Sequence, residues 1–247
     1  MSDLISFPDG GYAFLKGVFP YSAGVVALPG FAIERARLAR PVPMLQGFER
    51  IASHLKSIGR PLTALCAAEL RSPKPFSFGG FSDFNKGYVA VLKERNIYRN
   101  ELNPVARSNV APEIDAPAEV SFYAFCYTVP SNTPKSFVVA GSGEWPEGGR
   151  FPEDIVARGD VSPAGMRTKA RWVLDMMETR MRGLGVSWSE ASATQVYTVR
   201  DLHPFLGDEI LRRGAAPAGL TWHYCRPPIA GLEYEMDLRG VAVERTI

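Results

Sequence analysis

Lys169 to Phe205 reads KARWVLDMMETRMRGLGVSWSEASATQVYTVRDLHPF, and this stretch decides what kind of fold the chain makes. Ser162 followed by Pro163 supplies a helix start just upstream, a side-chain cap with proline in the first turn. Met166, Ala170, Val173, Leu174, Met177, Met181 and Leu184 then return every three or four residues, which predicts a helix with one apolar stripe. Gly183 and Gly185 close it. Ala191 to Val199, ASATQVYTV, has the β-branched character of a strand, and Pro204 to Arg213 predicts another helix. Upstream, Ser136 to Ser142 predicts a strand, and Gly143 to Arg150 a glycine-rich loop. Downstream, Gly219 to Val241 predicts two strands joined by a Pro/Gly loop into a hairpin-like pair. Its second run carries Glu233, Glu235 and Asp237 at alternate positions, on one face of a regular strand.

The first half repeats this order. Tyr21 to Phe31 predicts a buried strand, and RARLARPVP, Arg35 to Pro43, an arginine-rich link. Met44, Leu45, Phe48, Ile51, Ala52, Leu55 and Ile58 fall at helical spacing, with Gly59 as the stop. A strand over Leu62 to Leu70, an amphipathic segment with Phe84, Tyr88, Val91 and Leu92, and strands over Val105–Ala111 and Val120–Val129 follow. Pro130 to Lys135, PSNTPK, has the composition of a linker. Helix, strand, helix, strand, strand therefore occurs twice. A repeat of half the chain indicates duplication of a domain, here residues 1–130 and 131–247, each of ordinary domain size.

Composition narrows the function. The chain has 247 residues, 46% of them hydrophobic, enough for a substantial core. A formal net charge of +2 without a basic stripe gives no electrostatic case for a nucleic-acid partner. No apolar run approaches the roughly 20 residues that span a bilayer, so no membrane partner is expected. Three scattered cysteines, Cys66, Cys126 and Cys225, fit reduced thiols in a cytoplasmic protein, and no secretory signal opens the chain. There is no HxxE, HxH or CxxC spacing, no GxSxG elbow and no phosphate-binding loop, so no metal or cofactor is expected.

The order of elements and several segments resemble the RidA/YjgF-like family of enamine/imine deaminases, present twice in this chain. The segments are VVAGSGEW (138–145), residues 169–205 and YEMDLRGVAV (234–243) in the second half. In the first they are LKSIGRPLTAL (55–65), GFSDFNKGYVAVL (80–92) and NPVARSNVAPE (103–113). The resemblance implies an α+β, chorismate-mutase-like fold in each half, a mixed sheet with two helices on one face. It also implies trimeric assembly with sites in clefts between domains, hence a homo-oligomer of two-domain chains. The two-domain members to which this chain is most similar act on 2-aminomuconate, so the implied substrate is a small dicarboxylate enamine formed in aminophenol or nitroaromatic degradation. A general reactive-imine deaminase and a non-catalytic ligand-binding module are the alternatives.

Enamine hydrolysis requires a carboxylate anchor, a proton shuttle and a placed water. Arg107, in ARSNV, matches the family's carboxylate-binding arginine, and a guanidinium suits that role because it donates two parallel hydrogen bonds. Asn109 stands where many relatives carry cysteine, and the family's water-activating glutamate falls on or beside Tyr123 in this half. In the second half Glu235 matches that glutamate, whereas the arginine position falls near Gly219. His223 and Cys225 would share one face if their strand is regular, beside Arg226 as a further anchor. Gly143, Glu144 and Trp145 occupy the family's site-lining loop, where Trp145 could stack on a planar dienoate. With neither half complete, the expected site is either shared between them or rebuilt within the second half, with Glu235, His223 and Cys225 catalytic, and Arg107, Arg226, Asn109, Gly143, Glu144, Trp145 and Tyr123 binding.

Overall fold

The computed structural model describes residues 4–132 and 135–247, so Thr133 and Pro134 of the linker lie outside the described residues. Five strands precede and bracket the first helices: β1 (Leu4–Phe7), β2 (Tyr12–Leu15), β3 (Gly24–Ala27), β4 (Phe31–Pro43) and β5 (Leu65–Arg71). Helix α1 (Met44–Ser57) separates β4 from β5, and α2 (Phe78–Glu94) leads to β6 (Ala106–Pro112) and β7 (Ser121–Pro130). The second half runs β8 (Phe137–Gly143), α3 (Pro163–Leu184), β9 (Ala193–Tyr197) and α4 (His203–Phe205), which continues as a π-helix over Leu206–Ala215. Strands β10 (Thr221–His223), β11 (Cys225–Arg226), β12 (Glu235–Gly240) and β13 (Val243–Thr246) end the chain.

The repeat is visible in the sheets. One contains the order β6-β5-β7-β4 and the other β10-β9-β12-β8. Within each, the first pair is parallel and the next two antiparallel. Each half thus builds the same mixed sheet. The sheets then exchange ends: β1, β2 and β3 extend the second-half sheet through β8, while β11 and β13 flank the first-half sheet on β6 and β4.

Apolar periodicity explains the layering. Phe48, Ile51 and Leu55 of α1 and Tyr88, Val89 and Leu92 of α2 pack on Leu65, Leu70, Phe122 and Phe125 of the first sheet. The stripe of α3, from Met166 to Leu184, packs with Phe205 and Ile210 on Val26, Phe137, Val139, Met236 and Leu238 of the second. A third apolar layer, including Phe14, Val25, Ile33, Cys66, Ala106, Cys126 and Ala140, fills the space between the sheets. The order is helices, sheet, sheet, helices, and burying both faces of each sheet supplies the main driving force. Ser162 caps α3 through Gly165, and Gly185, at φ +66°, ends it in the left-handed conformation open to glycine. No helix among the described residues is long and apolar enough to cross a membrane.

Four expectations are corrected. The arginine-rich link is most of the 13-residue strand β4: Ala36 and Leu38 face the core, while Arg35 reaches Glu69 of β5 through Nε at 2.6 Å and Nη2 at 2.7 Å. The two runs of Gly219–Val241 do not form a hairpin, because β9 lies between β10 and β12. Nor is the first run one regular strand. It breaks at Tyr224, so that His223 pairs with β9 and Cys225 with β6 of the other sheet. Glu233 precedes β12 and pairs with Arg200 at 2.9 Å, so only Glu235 and Asp237 belong to the strand face.

Candidate active site

A cavity of about 250 Å³ opens where the two halves meet. Arg107 of β6 and Glu235 of β12 both line it, together with Asn85 of α2, Asn109 of β6, the β8 end from Gly141 to Gly143, Trp145, and Arg180 of α3. The sheets bring these residues together. Strand β6 carries Arg107 in the first sheet, between β5 and β11, and β12 lies inside the second, between β8 and β9.

Arg107 is 3% exposed. Its Nη2 donates to Asn85 Oδ1 at 2.7 Å, while Nη1 has no hydrogen-bond partner among the described residues. Four rings surround the guanidinium: Tyr88 and Tyr21 at 4.8 and 5.0 Å, and Phe81 and Phe84 at 5.6 Å. Burial pulls its pKa down. A buried cation with an unused donor is costly unless an anion completes it. Asn109 has the same character, since Oδ1 accepts from Ser72 Oγ at 2.8 Å and Nδ2 lacks a partner among the described residues.

Glu235 is 4% exposed. Burial, then the nearby Asp237 carboxylate, push its pKa well above the usual range, so it holds a proton where an ordinary glutamate has lost one. Its carboxyl lies against the backbone of Gly141. A Cβ at Gly141 would sit 2.5 Å from Glu235 Oε1 and 3.0 Å from Ser108 Cβ, so only glycine admits both neighbours. Asp237 is held behind Glu235: Tyr197 Oη donates to it at 2.8 Å and Gln195 Nε2 at 2.7 Å.

The remaining expected residues fall in different places. Gly143 and Trp145 line the cavity, and Trp145 packs edge-on against Phe78 and Phe151 at 5.8 and 5.7 Å. Glu144 points away from it, fully buried. It accepts from the backbone N–H groups of Glu233 at 2.7 Å and Tyr234 at 3.1 Å and pairs with Lys169 at 3.3 Å, pinning the loop from behind. His223 and Tyr123 share a second, arginine-rich cleft with Arg35, Arg37, Arg239 and Arg245. There His223 stacks on Tyr197 at 5.0 Å and its Nε2 meets Gln195 Oε1 at 3.1 Å. Gln195 Nε2 is already donating to Asp237, so Oε1 accepts and His223 Nε2 carries the proton. Burial lowers its pKa to about 4, which keeps the ring neutral at pH 7. Cys225 is buried beside Val110 and Tyr197. Arg226 spends both arms on Glu113, at 2.6 and 2.8 Å. Gly219, at φ +70°, belongs to the turn before β10 rather than to a strand.

Reading the sequence did not single out Arg180 or Asn85. Arg180 falls in phase with Val173, Met177 and Leu184 on the buried side of α3, and a charge in that register was the available signal.

The fold is a tandem pair of α+β units, with a buried guanidinium and a buried carboxyl in one cavity between them. The chain belongs to the 2-aminomuconate deaminase CnbZ family, which matches residues 4–245. It is 48% identical over 252 residues to a 2-amino-5-chloromuconate deaminase of Comamonas testosteroni, an alignment that covers all of both chains. Among solved structures, a chorismatase is 13% identical over 94% of this chain and 77% of its own, with a TM-score of 0.47. The YjgF gene product of E. coli is 16% identical over 43% of this chain and 80% of its own, with a TM-score of 0.32.

Proposed function

We propose that the protein hydrolyses the C–N bond of 2-aminomuconate or a chain-substituted analogue such as the 5-chloro compound, releasing ammonia and the 2-oxo acid. The observation that carries this reading is the unused Nη1 of Arg107, in a cavity that also holds the buried carboxyl of Glu235. The family assignment and the relative that deaminates 2-amino-5-chloromuconate supply the substrate class.

In this reading Arg107 binds the carboxylate beside the amino-bearing carbon, with Asn109 as a further donor. Glu235 enters protonated and delivers its proton to the carbon next to the C–N bond, turning enamine into iminium. As a carboxylate it then takes a proton from water while the water oxygen bonds to the iminium carbon. It returns that proton to the nitrogen, the C–N bond breaks, and the hydroxyl proton of the resulting carbonyl goes back to Glu235. The sum is enamine plus water to ketone plus ammonia, with the enzyme restored. A carboxyl with a raised pKa suits both roles near neutrality. Trp145 and Phe78 would cover the planar diene.

The substrate-contacting set proposed here is Arg107, Asn109, Gly143, Trp145 and Glu235. His223, Cys225, Tyr123 and Arg226 lie outside this cavity, and His223 reaches towards it through Gln195 and Tyr197, both of which donate to Asp237. We propose a cytoplasmic homotrimer of two-domain chains divided near residue 130, a state that sedimentation velocity would check. The activity is tested by mixing the protein with 2-aminomuconate and following ammonia together with loss of the dienamine absorbance. Stoichiometric ammonia supports the reading. Ammonia only from an amino-acid-derived imine would favour a general imine deaminase, and none from either a binding module.

A further inference from the structure

The substrate class proposed above has two carboxylates, and Arg107 accounts for one. A second guanidinium lines the same cavity. Arg180 is 4% exposed, and its Nη1 donates to the carbonyls of Ala140 at 2.9 Å and Gly141 at 3.2 Å. This fixes the head group beside the strand end against which Glu235 packs. Its Nη2 meets Glu147 Oε1 at 2.7 Å. Glu147 also lines the cavity, so a carboxylate from the protein already rests on the one arm of Arg180 not engaged by backbone.

We propose that Arg180 is the anchor for the distal carboxylate of a linear dicarboxylate, and that Glu147 is a stand-in which the substrate displaces. Charge balance favours this arrangement. The cavity lining contains two cations, Arg107 and Arg180, and two acids, Glu147 and Glu235. With Glu147 on Arg180, and Glu235 carrying a proton, only one cation is uncompensated, which suits a monoanion. Moving Glu147 aside leaves two cations for a dianion.

The loop is built to permit the movement. Glu144 and Trp145 hold its start, through the Glu233 and Tyr234 backbone and the Phe78 and Phe151 rings. Arg150 and Asp154 clasp its end at 2.8 Å. Glu147 lies between these fixed points, a third exposed, followed by Gly148 at φ +79° with open space around it. In the free protein the contact keeps a buried guanidinium paired; in the complex the substrate takes over the pairing, which makes Glu147 a selector for length and charge.

This inference rests on the proposed substrate class, but its test needs no turnover. Two unreactive probes of equal chain length, hexa-2,4-dienedioate and hexa-2,4-dienoate, differ only in the distal carboxylate. Calorimetry on the intact protein should show the dicarboxylate binding at least about tenfold more tightly, the scale of one charge-assisted contact. Glu147→Gln should raise that preference severalfold by removing the competitor. Arg180→Met should lower it at least about tenfold, and Arg180→Lys should restore part of it without the fork geometry. If Arg180→Met fails to fold because the carbonyls of Ala140 and Gly141 lose their donor, Glu147→Gln still decides. Equal binding of the two probes, no binding of either, or weaker dicarboxylate binding in Glu147→Gln would each overturn the proposal. Intact binding preference without ammonia release from 2-aminomuconate would instead refute the deaminase reading and leave the anchor standing.

Discussion

Arg107 and Glu235 come from opposite halves of the chain and face the same cavity, one a buried guanidinium with a free donor and the other a buried carboxyl that keeps its proton. Neither repeat contains both groups at its own matching positions. Tyr123 stands near the glutamate position in the first half, and Gly219 near the arginine position in the second. In the proposed reading the duplicated chain makes a composite site from two half-sites.

Arg107→Ala should raise KM for 2-aminomuconate by about 10²-fold or more, with a smaller change in kcat, because it removes binding shared by ground and transition states. Arg107→Lys should recover only part of the loss, since an ammonium cannot reproduce the guanidinium fork. Steady-state kinetics on both variants check this. An unaltered KM in Arg107→Ala would move the anchor elsewhere.

Gly141→Ala should lower kcat by about tenfold or more, because the added methyl displaces the Glu235 carboxyl, and should also cost some stability where it meets Ser108 of the facing sheet. Circular dichroism and turnover on the same preparation separate the two effects. Full activity would mean that the contact between Glu235 and Gly141 has no part in positioning the carboxyl.

Glu235 also makes stability depend on pH. Burial raises its pKa in the folded state, so the folded chain holds the proton more tightly than the unfolded one. Its contribution is complete below the unfolded glutamate pKa of about 4.3 and is lost as pH rises through the folded value. Glu235→Gln mimics the protonated group and escapes that loss. Its Tm should exceed that of the unsubstituted protein by about 3 °C or more at pH 8, with the gap closing towards pH 4. A gap independent of pH would show that Glu235 is not held protonated by the fold.

The reach of sequence reasoning followed the physics of each signal. The helix stripes of Met44–Ile58 and Met166–Leu184 were legible because buried helix faces impose a 3.6-residue period. Strand β4 was not, since its buried Ala32, Ile33, Ala36 and Leu38 are interleaved with arginines, of which Arg35 finds its partner Glu69 on another strand of the sheet. The short β1 and β2 went unread because their meaning lies in pairing, β1 with β2 and β2 with β3, which joins the sheet of the other half. Arg107 and Glu235 could be singled out by their family motifs, yet periodicity contains nothing that places them in one cavity. His223 and Cys225 looked adjacent on one face, but the break at Tyr224 sends them to different sheets. Arg180 was hidden inside an apolar helix register, where a charge is informative only once the cavity beside it is seen.

The composite site is tested most directly by Glu235→Gln assayed for both binding and turnover. The account predicts that the variant binds hexa-2,4-dienedioate within about threefold of the unsubstituted protein, because Gln retains the neutral form, while kcat for ammonia release falls by about 10²-fold or more. Unchanged turnover with unchanged binding would contradict it.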